Sequence, residues 1–339
     1  MMGGSDGVLL LDGGFGHELK ERGVPGSEAT STSSTFLAGA LANQNDPSAV
    51  VGLHREYIRA GCDVLTTNSF VLTPHHLAKA GLGRTHLQDL VRKSVANAAE
   101  ARAMEGATNE TVRIAGCLPP LAECYDDDDS GAPPQELSET YAEILACLNG
   151  VDIVLVETIG RSSEALACLD AISSCPDERL RGAEVWVSFT LADDRDARLR
   201  GGEPLVEAAL AVLERAAAGG SKLGCLLVNC CAPSSCEAGL AALASSKDLR
   251  RHRFRVGAYA NGFLKTTDEW LGRGGGEGVG GFRRTANDCG DYDDRTGLIL
   301  PFAYARWAKK FVAAGASVVG GCCGVGVEAM AAASDALKR

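Results

Sequence analysis

The chain has 339 residues, 45% hydrophobic and 23% charged, a composition typical of a globular protein with a sizeable core. Its formal net charge is −11, with no basic stretch to offset it, so we expect neither nucleic acid nor an anionic membrane as a partner. The amino-terminal stretch lacks the basic region of a signal peptide, and no apolar run approaches the roughly 20 residues of a membrane span, which predicts a cytoplasmic protein.

Eight short apolar runs alternate with stretches of helical periodicity along the chain. The runs are continuously apolar, which is typical of strands buried on both faces. In chain order the predicted strands are 8–12, 62–67, 112–117, 151–157, 184–191, 223–231, 254–261 and 317–323. Helices are predicted at 47–60, 86–105, 136–149, 163–173, 204–218, 300–314 and 326–338. After the sixth strand, Ser234 and Glu237 match a capping box, which predicts another helix start.

This alternation predicts an α/β protein, a single (β/α)8 TIM barrel forming one domain over residues 1–339. Two polar insertions, at about 122–134 and 271–295, show neither strand nor helix pattern. The second insertion contains a GxGxxG match at 276–281. Because no strand precedes that match and no helix follows it, we do not interpret it as a dinucleotide-binding motif.

The active site of such a barrel lies at the C-terminal ends of its strands, so the last residues of each predicted strand are the candidates. The chain contains 13 cysteines, spread through strands and helices, and most of them, including Cys117, are expected to be small buried hydrophobes rather than disulfide partners. Three are different. Cys230 ends the sixth strand, and Cys322 and Cys323 end the eighth, among glycines that permit a bend: Gly320, Gly321 and Gly324.

Three soft thiolates with an open fourth position are typical of a catalytic zinc site. We therefore predict Zn²⁺ at the C-terminal face of the strands, held by Cys230, Cys322 and Cys323, with Cys231 pointing away from the ion. The alternatives are packed cysteines, a zinc-dependent barrel hydrolase with water in the fourth position, or a non-catalytic zinc- or thiol-binding protein. Hydrolysis is disfavoured because three thiolates weaken the Lewis acidity of the metal and no general base stands out.

Five stretches of the chain resemble the homocysteine S-methyltransferase family, in the same order and over essentially the whole length. They are LDGGFGHELKERG (11–23), TTNSF (66–70), LVETIG (155–160), VNC (228–230) and GGCCG (320–324). The resemblance implies a homocysteine-binding barrel domain whose zinc is held by the cysteine of "NC" and both cysteines of "GGCCG". It also implies that a methyl group passes to the thiolate of L-homocysteine, which yields methionine.

The resemblance further implies which residues bind the amino-acid end of homocysteine. Glu157 and Asp12 are expected to accept hydrogen bonds from the ammonium group, with Gly13 and Gly14 letting the backbone approach the substrate closely. Asn261, in "YAN" where the family often has "YPN", is a candidate resting fourth ligand. Further candidates to line the pocket are Thr67 and Asn68, for which strand-end packing is the alternative, and His17 beside the glycine loop.

The chain ends soon after its last predicted helix, which leaves no room for folate or cobalamin modules or for the C-terminal segment of betaine-dependent relatives. We therefore expect a small sulfonium donor, S-methylmethionine or S-adenosylmethionine. The lack of a nucleotide motif favours S-methylmethionine. An aromatic face from Trp186, Trp270 or Trp307 could contact the cation. The sequence leaves the oligomeric state open.

Overall fold

A computed structural model of the chain describes residues 7–24, 32–121, 133–193, 196–264 and 291–338. Its centre is an eight-stranded parallel sheet in the order β1-β8-β7-β6-β5-β4-β3-β2. The strands are β1 Leu9–Leu10, β2 Val64–Thr66, β3 Arg113–Leu118, β4 Ile153–Ile159, β5 Glu184–Thr190, β6 Lys222–Asn229, β7 Arg255–Ala260 and β8 Val318–Gly321. The predicted (β/α)8 barrel is thereby confirmed, and all eight strands fall within or next to the predicted runs.

Helices alternate with these strands and form the outer layer. Numbered along the described residues, they are α1 Phe15–Glu21, α2 Thr32–Asn45, α3 Pro47–Arg59, α4 Pro74–Lys79, α5 Arg84–Met104, α6 Pro134–Leu145, α7 Ser162–Ser173, α8 Glu178–Arg181, α9 Leu205–Gly219, α10 Pro233–Ser245, α11 Pro301–Ala313 and α12 Val327–Lys338. Searched over the same residues, none of the helices combines the length and the apolar character needed to cross a membrane.

The barrel closes through a short seam between β1 and β2. There the Asp63 amide donates to the carbonyl of Leu10 over 2.7 Å, and the Asp12 amide donates to the carbonyl of Val64 over 3.0 Å. The side chain of Asp12 extends the seam, because its Oδ2 accepts a hydrogen bond from the Thr66 amide over 2.8 Å. A residue predicted to bind substrate therefore also helps to join the first and last strands of the sheet order.

Apolar side chains fill the barrel, as expected for strands buried on both faces. This interior cluster consists of Leu11, Val64, Ala115, Ile153, Leu155, Trp186, Cys225, Leu227, Tyr259 and Val318, with Cys322 packed against it. Trp186 lies near the N-terminal end of β5, where its Nε1 donates to Glu184 and the Arg113 guanidinium stacks over the ring. The polar strand ends at the opposite face thus adjoin an interior filled with apolar side chains.

Several local expectations need correction. The capping box at Ser234 is wrong: α10 begins at Pro233, the cap position is Ala232, and Ser234 lies inside the first turn. Proline accounts for the earlier start, because its fixed φ suits the first helical position. Helices α1, α2, α4 and α8 were not predicted. The insertion at 122–134 lies outside the described residues apart from 133–134, and that at 271–295 apart from 291–295.

Candidate metal centre and substrate site

Three cysteines from two strand ends converge at the C-terminal face of the barrel. The Sγ atoms of Cys230, Cys322 and Cys323 all lie within 4.8 Å of one another. Cys230 is 2% exposed, and the other two are half-buried. The trio therefore combines one buried residue with two partly exposed ones at the carboxyl ends of the strands.

A left-handed backbone conformation at the end of β6 orients the thiol of Cys230. Cys230 has a φ of +53°, a conformation that non-glycine residues seldom adopt. Its amide donates to the carbonyl of Tyr259 over 3.3 Å, and its carbonyl accepts from the Thr190 hydroxyl over 3.3 Å. Because both neighbouring strands hold this turn, Cys230 faces the other two cysteines instead of following the alternation of the strand.

The other two thiols follow β8, which ends at Gly321 before the cysteine pair. The Cys322 amide donates to the carbonyl of Ala260, and the Cys323 carbonyl accepts from the Gly262 amide, at 3.0 and 2.8 Å. Gly324 then turns the chain with a φ of +76°, and the Phe263 ring lies against it. The pair therefore lies in a loop and not on a strand, which allows both sulfurs to face one point.

The trio fits a thiophilic metal ion. Two sulfurs bound to one tetrahedral ion at about 2.3 Å are about 3.8 Å apart, so separations within 4.8 Å require only small side-chain movements. Hydrogen bonds with Cys230 and Cys323, together with burial, raise the pKa of Cys322 well above its usual range. Without a cation the Cys322 thiol therefore retains its proton, which a bound metal would displace.

The cysteine next to the trio points away, as expected. Cys231 is fully buried, and its Sγ lies 3.5 Å from that of Cys236 on α10. Cys236 in turn donates to the carbonyl of Val228. The eleven cysteines within the described ranges are all free thiols, in agreement with the prediction that they do not form a disulfide framework.

Glu157 lies near the end of β4, where the backbone departs from regular strand geometry. The β4–β5 register shifts between Val156 and Ile159, and Thr158 has a φ of +59°. The Glu157 carboxylate accepts hydrogen bonds from the Cys117 thiol at 3.0 Å and the Tyr259 hydroxyl at 3.2 Å. Burial raises the pKa of Glu157 to about 7, with Cys230 adding to the effect. Cys117, expected only to pack, is thus a polar partner of the candidate substrate-binding glutamate.

Asp12 is the second buried carboxyl of this face. It is 2% exposed, and burial raises its pKa to about 8 although the Thr66 amide donates to it and lowers the value. Glu157 also raises the pKa of Asp12 through its charge. A positive group near both buried carboxyls would stabilise their charged forms, so this face is a favourable site for a cation.

The glycine loop after β1 packs directly on the cysteine loop. A Cβ at Gly14 would lie 2.4 Å from the carbonyl oxygen of Cys322, so only glycine fits there without displacement. The Gly14 amide donates to the Val325 carbonyl over 2.9 Å and is therefore engaged within the protein. On α1, Glu18 accepts from the amide of Val327 at the start of α12. The "DGGFGHE" stretch thus packs against the loop that carries the cysteine pair and hydrogen bonds to the residues that follow it.

The remaining candidates differ in what their side chains contact. Thr67 Oγ1 accepts the Cys117 amide at 3.0 Å, and Asn68 donates to the carbonyl of Gly39 on α2 at 2.8 Å, so both contact the scaffold. Asn261 is buried between the two cysteine loops, and its backbone amide donates a hydrogen bond to the Cys231 carbonyl. The His17 ring lies 5.5 Å from that of Phe263, beside the cysteine loop.

Two of the three tryptophans considered for cation–π contact lie within the described residues, and both are engaged elsewhere in the fold. Trp186 is sealed inside the barrel near the N-terminal end of β5, and Trp307 on α11 stacks on Lys310 at 3.9 Å. Trp270 lies outside the described residues.

A buried polar chain under the site was missed by sequence reasoning. Asn229 donates to the Thr158 hydroxyl over 2.7 Å and accepts from the Ser188 hydroxyl over 2.6 Å. The chain links β4, β5 and β6 at the residues next to Glu157 and Cys230. The asparagine of "VNC" and the threonine of "VET" therefore support two strained strand ends; their place inside the motifs is the signal that could have identified them.

Comparison with known proteins gives a consistent result. A family model described as Homocysteine S-methyltransferase matches residues 9–337. The chain is 28% identical to Homocysteine S-methyltransferase of Escherichia coli (strain K12) over 326 residues, which cover 93% of the chain and 91% of that protein. It is 26% identical to Homocysteine S-methyltransferase 4 of Zea mays over 337 residues, with 94% and 85% covered.

Solved structures agree with the fold. The homocysteine methyltransferase MmuM from Escherichia coli, in its oxidized form, matches with a TM-score of 0.71 at 25% identity, covering 98% of this chain and 96% of that chain. Its metallated form matches with a TM-score of 0.71 at 24% identity, with 97% and 96% covered. The family expected from the motifs is thus confirmed, and the chain belongs to the homocysteine S-methyltransferase family of enzymes.

Proposed function

We propose that this homocysteine S-methyltransferase is zinc-dependent, that Cys230, Cys322 and Cys323 hold the ion, and that a small sulfonium compound donates the methyl group. The observation that carries the proposal is the convergence of the three Sγ atoms within 4.8 Å, at the same barrel face as two buried carboxyls. A ligand set made only of sulfur favours zinc over magnesium or calcium, which prefer oxygen.

The acceptor is L-homocysteine, bound at both ends. Its ammonium group is held by Glu157 and Asp12, whose raised pKa values reflect buried carboxyls that lack a nearby cation. Since the Gly14 amide is engaged with Val325, the donor of the glycine loop assigned to the substrate is the amide of Gly13. Thr67 and Asn68 belong to the scaffold on the evidence of their hydrogen bonds. Asn261, between the cysteine loops, is the proposed resting ligand.

The reaction is a direct displacement at carbon. A zinc ion held by the three cysteines would supply the Lewis acidity that keeps the homocysteine sulfur ionised at neutral pH. The homocysteine sulfur forms a bond to the methyl carbon while the bond from that carbon to the sulfonium sulfur breaks, and the electron pair returns to the donor. The products are methionine and a neutral thioether. The chain contributes positioning, because Glu157 and Asp12 fix the amino-acid end of the acceptor.

A cationic donor suits the charge of this face. The chain carries a formal net charge of −11, and three cysteine thiolates around one zinc ion would give that centre a net charge of −1. A negatively charged centre attracts small cations. Between the two sulfonium candidates we propose S-methylmethionine, because the sequence offers no nucleotide-binding motif for the adenosyl group.

The test has an activity arm and a metal arm. Zinc-loaded protein is incubated with L-homocysteine and either S-methylmethionine or S-adenosylmethionine, and methionine is quantified. We expect turnover with at least one donor; its absence with both contradicts the proposed donor class. Metal analysis should find about one zinc per chain in the wild type and in Cys231→Ser, the matched control, but far less in Cys230→Ser. Zinc retained by Cys230→Ser and lost from Cys231→Ser would contradict the ligand assignment.

A further inference from the structure

The carboxylate of Glu157 is held from two sides of the barrel. Its Oε2 accepts a hydrogen bond from the Cys117 thiol on β3 at 3.0 Å, and its Oε1 accepts one from the Tyr259 hydroxyl on β7 at 3.2 Å. β3 is the immediate neighbour of β4, whereas β7 lies three places further along the sheet. The side chain therefore reaches into the barrel and is fixed by one donor on each oxygen.

Both donors are enclosed by the barrel. Cys117 is fully buried and Tyr259 is 2% exposed, and burial raises the pKa of the Cys117 thiol well above its usual range. The Cys117 amide is itself tied to the Thr67 hydroxyl over 3.0 Å. A thiol or phenol that remains protonated presents a hydrogen to the carboxylate at any pH at which the enzyme works.

Tyr259 also connects Glu157 to the cysteine trio. Its carbonyl accepts the amide of Cys230 over 3.3 Å, and Cys322 packs against the interior cluster that contains its ring. One residue thus contacts the carboxylate through its side-chain hydroxyl and the backbone amide of Cys230 through its carbonyl. Tyr259 therefore helps to set the distance between the Glu157 carboxylate, which would bind the ammonium group, and the cysteine trio, near which the substrate sulfur would lie.

We propose that Cys117 and Tyr259 are positioning residues that fix the Glu157 carboxylate relative to the cysteine trio, and so match the site to the length of homocysteine. This inference rests on the function proposed above. Neither residue touches the reacting atoms; both act through Glu157, by restricting where its carboxylate can lie. The geometry assigns to Cys117, a residue outside the cysteine trio, a role in binding the acceptor.

The variants Cys117→Ala, Cys117→Ser and Tyr259→Phe test this role with acceptor kinetics. Loss of one donor should raise the KM for homocysteine about three- to tenfold, as for one buried hydrogen bond. Zinc content, kcat and the KM for the donor should change little. Cys117→Ser retains a hydroxyl donor and should recover most of the affinity. Tyr259→Phe removes a single oxygen, so it keeps the test decisive if Cys117→Ala folds poorly.

The pH profile provides a readout that a purely structural role would not move. The hydrogen bond from Cys117 lowers the pKa of Glu157, as does that from Tyr259, whereas burial and the nearby Cys230 raise it. Removal of the thiol should therefore shift the acidic limb of kcat/KM for homocysteine to higher pH. The Cys117→Ser variant should shift it back.

Cys225→Ala is the matched control, because Cys225 is equally buried in the barrel interior but lies lower on β6, beside Trp186 and Arg255. It should leave the KM and the acidic limb unchanged. A folded, zinc-loaded Cys117→Ala enzyme with wild-type KM and pH profile overturns the inference, as does an equal change in Cys225→Ala. Wild-type enzyme that fails to methylate homocysteine with either donor contradicts the proposed function instead.

Discussion

Replacing the buried Glu157 carboxyl by an amide should stabilise the protein at high pH while weakening acceptor binding. Burial raises the pKa of this carboxyl from 4.5 to about 7 in the folded state. The folded protein therefore binds the proton more tightly than the unfolded chain, and stability is lost as the pH rises from the unfolded to the folded value. The loss amounts to about 3 kcal/mol, at roughly 1.4 kcal/mol per pH unit. Glu157→Gln does not titrate and avoids this loss.

The assay is urea-induced unfolding of zinc-free, reduced wild type and Glu157→Gln at about pH 5 and about pH 8. Relative to wild type, the free energy of unfolding of the variant should rise by up to about 3 kcal/mol between pH 5 and pH 8. Effects of the lost or altered hydrogen bonds that are the same at both pH values cancel in this comparison. Glu105→Gln is the matched control, because hydrogen bonds from Arg59 and Arg55 lower the pKa of Glu105, so this carboxyl is already ionised in both states above about pH 5. Its difference in unfolding free energy from wild type should be nearly the same at both pH values. An equal Glu157→Gln difference at both pH values would refute the reasoning.

Three further outcomes follow from the packing around the site. Gly14→Ala should lower the metal affinity measured by competition with a chelator while the protein stays folded, because the added Cβ would lie 2.4 Å from the Cys322 carbonyl oxygen. Gly52→Ala is the control and should bind metal normally, because its added Cβ would have no atom within 4 Å. His54 is fully buried, neither of its ring nitrogens has a hydrogen-bond partner among the described residues, and burial lowers its pKa from 6.5 to about 3. The free energy of unfolding of the wild type should therefore fall by up to about 5 kcal/mol as the pH falls from 6.5 to about 3, and that of His54→Phe should lack this contribution. Asp12→Asn should weaken homocysteine binding more as the pH rises through about 8, measured by titration calorimetry.

The strands and the cysteine trio were predictable because their signals are local. Each strand is a continuously apolar run, and the cysteines of "VNC" and "GGCCG" directly follow two such runs. Parallel strands bring their carboxyl ends to one face, so the convergence of Cys230, Cys322 and Cys323 follows from the fold class. Helix α2 gave no such signal. Its residues 37–43 are buried almost all round, because the helix packs against α1, α3 and α5, so it has no single apolar stripe.

The partners of Glu157 were beyond sequence reasoning. Cys117 and Tyr259 are 40 and 102 residues from it along the chain, and their meeting depends on how far each side chain reaches into the barrel. The left-handed backbone at Cys230 was equally hidden, because no glycine or asparagine marks it. The glycines around the cysteine pair correctly indicated a bend, but at β6 the turn is imposed by neighbouring strands.

The conformation of Cys230 has a consequence for the order of folding and metal binding. Holding a non-glycine residue in the left-handed region costs about 1–3 kcal/mol, and here the barrel fold supplies that energy without an ion. In small zinc domains, by contrast, the ion organises an otherwise unfolded chain. We therefore expect the proposed zinc ion to bind to an already folded scaffold, so that a chelator should remove it without unfolding the protein.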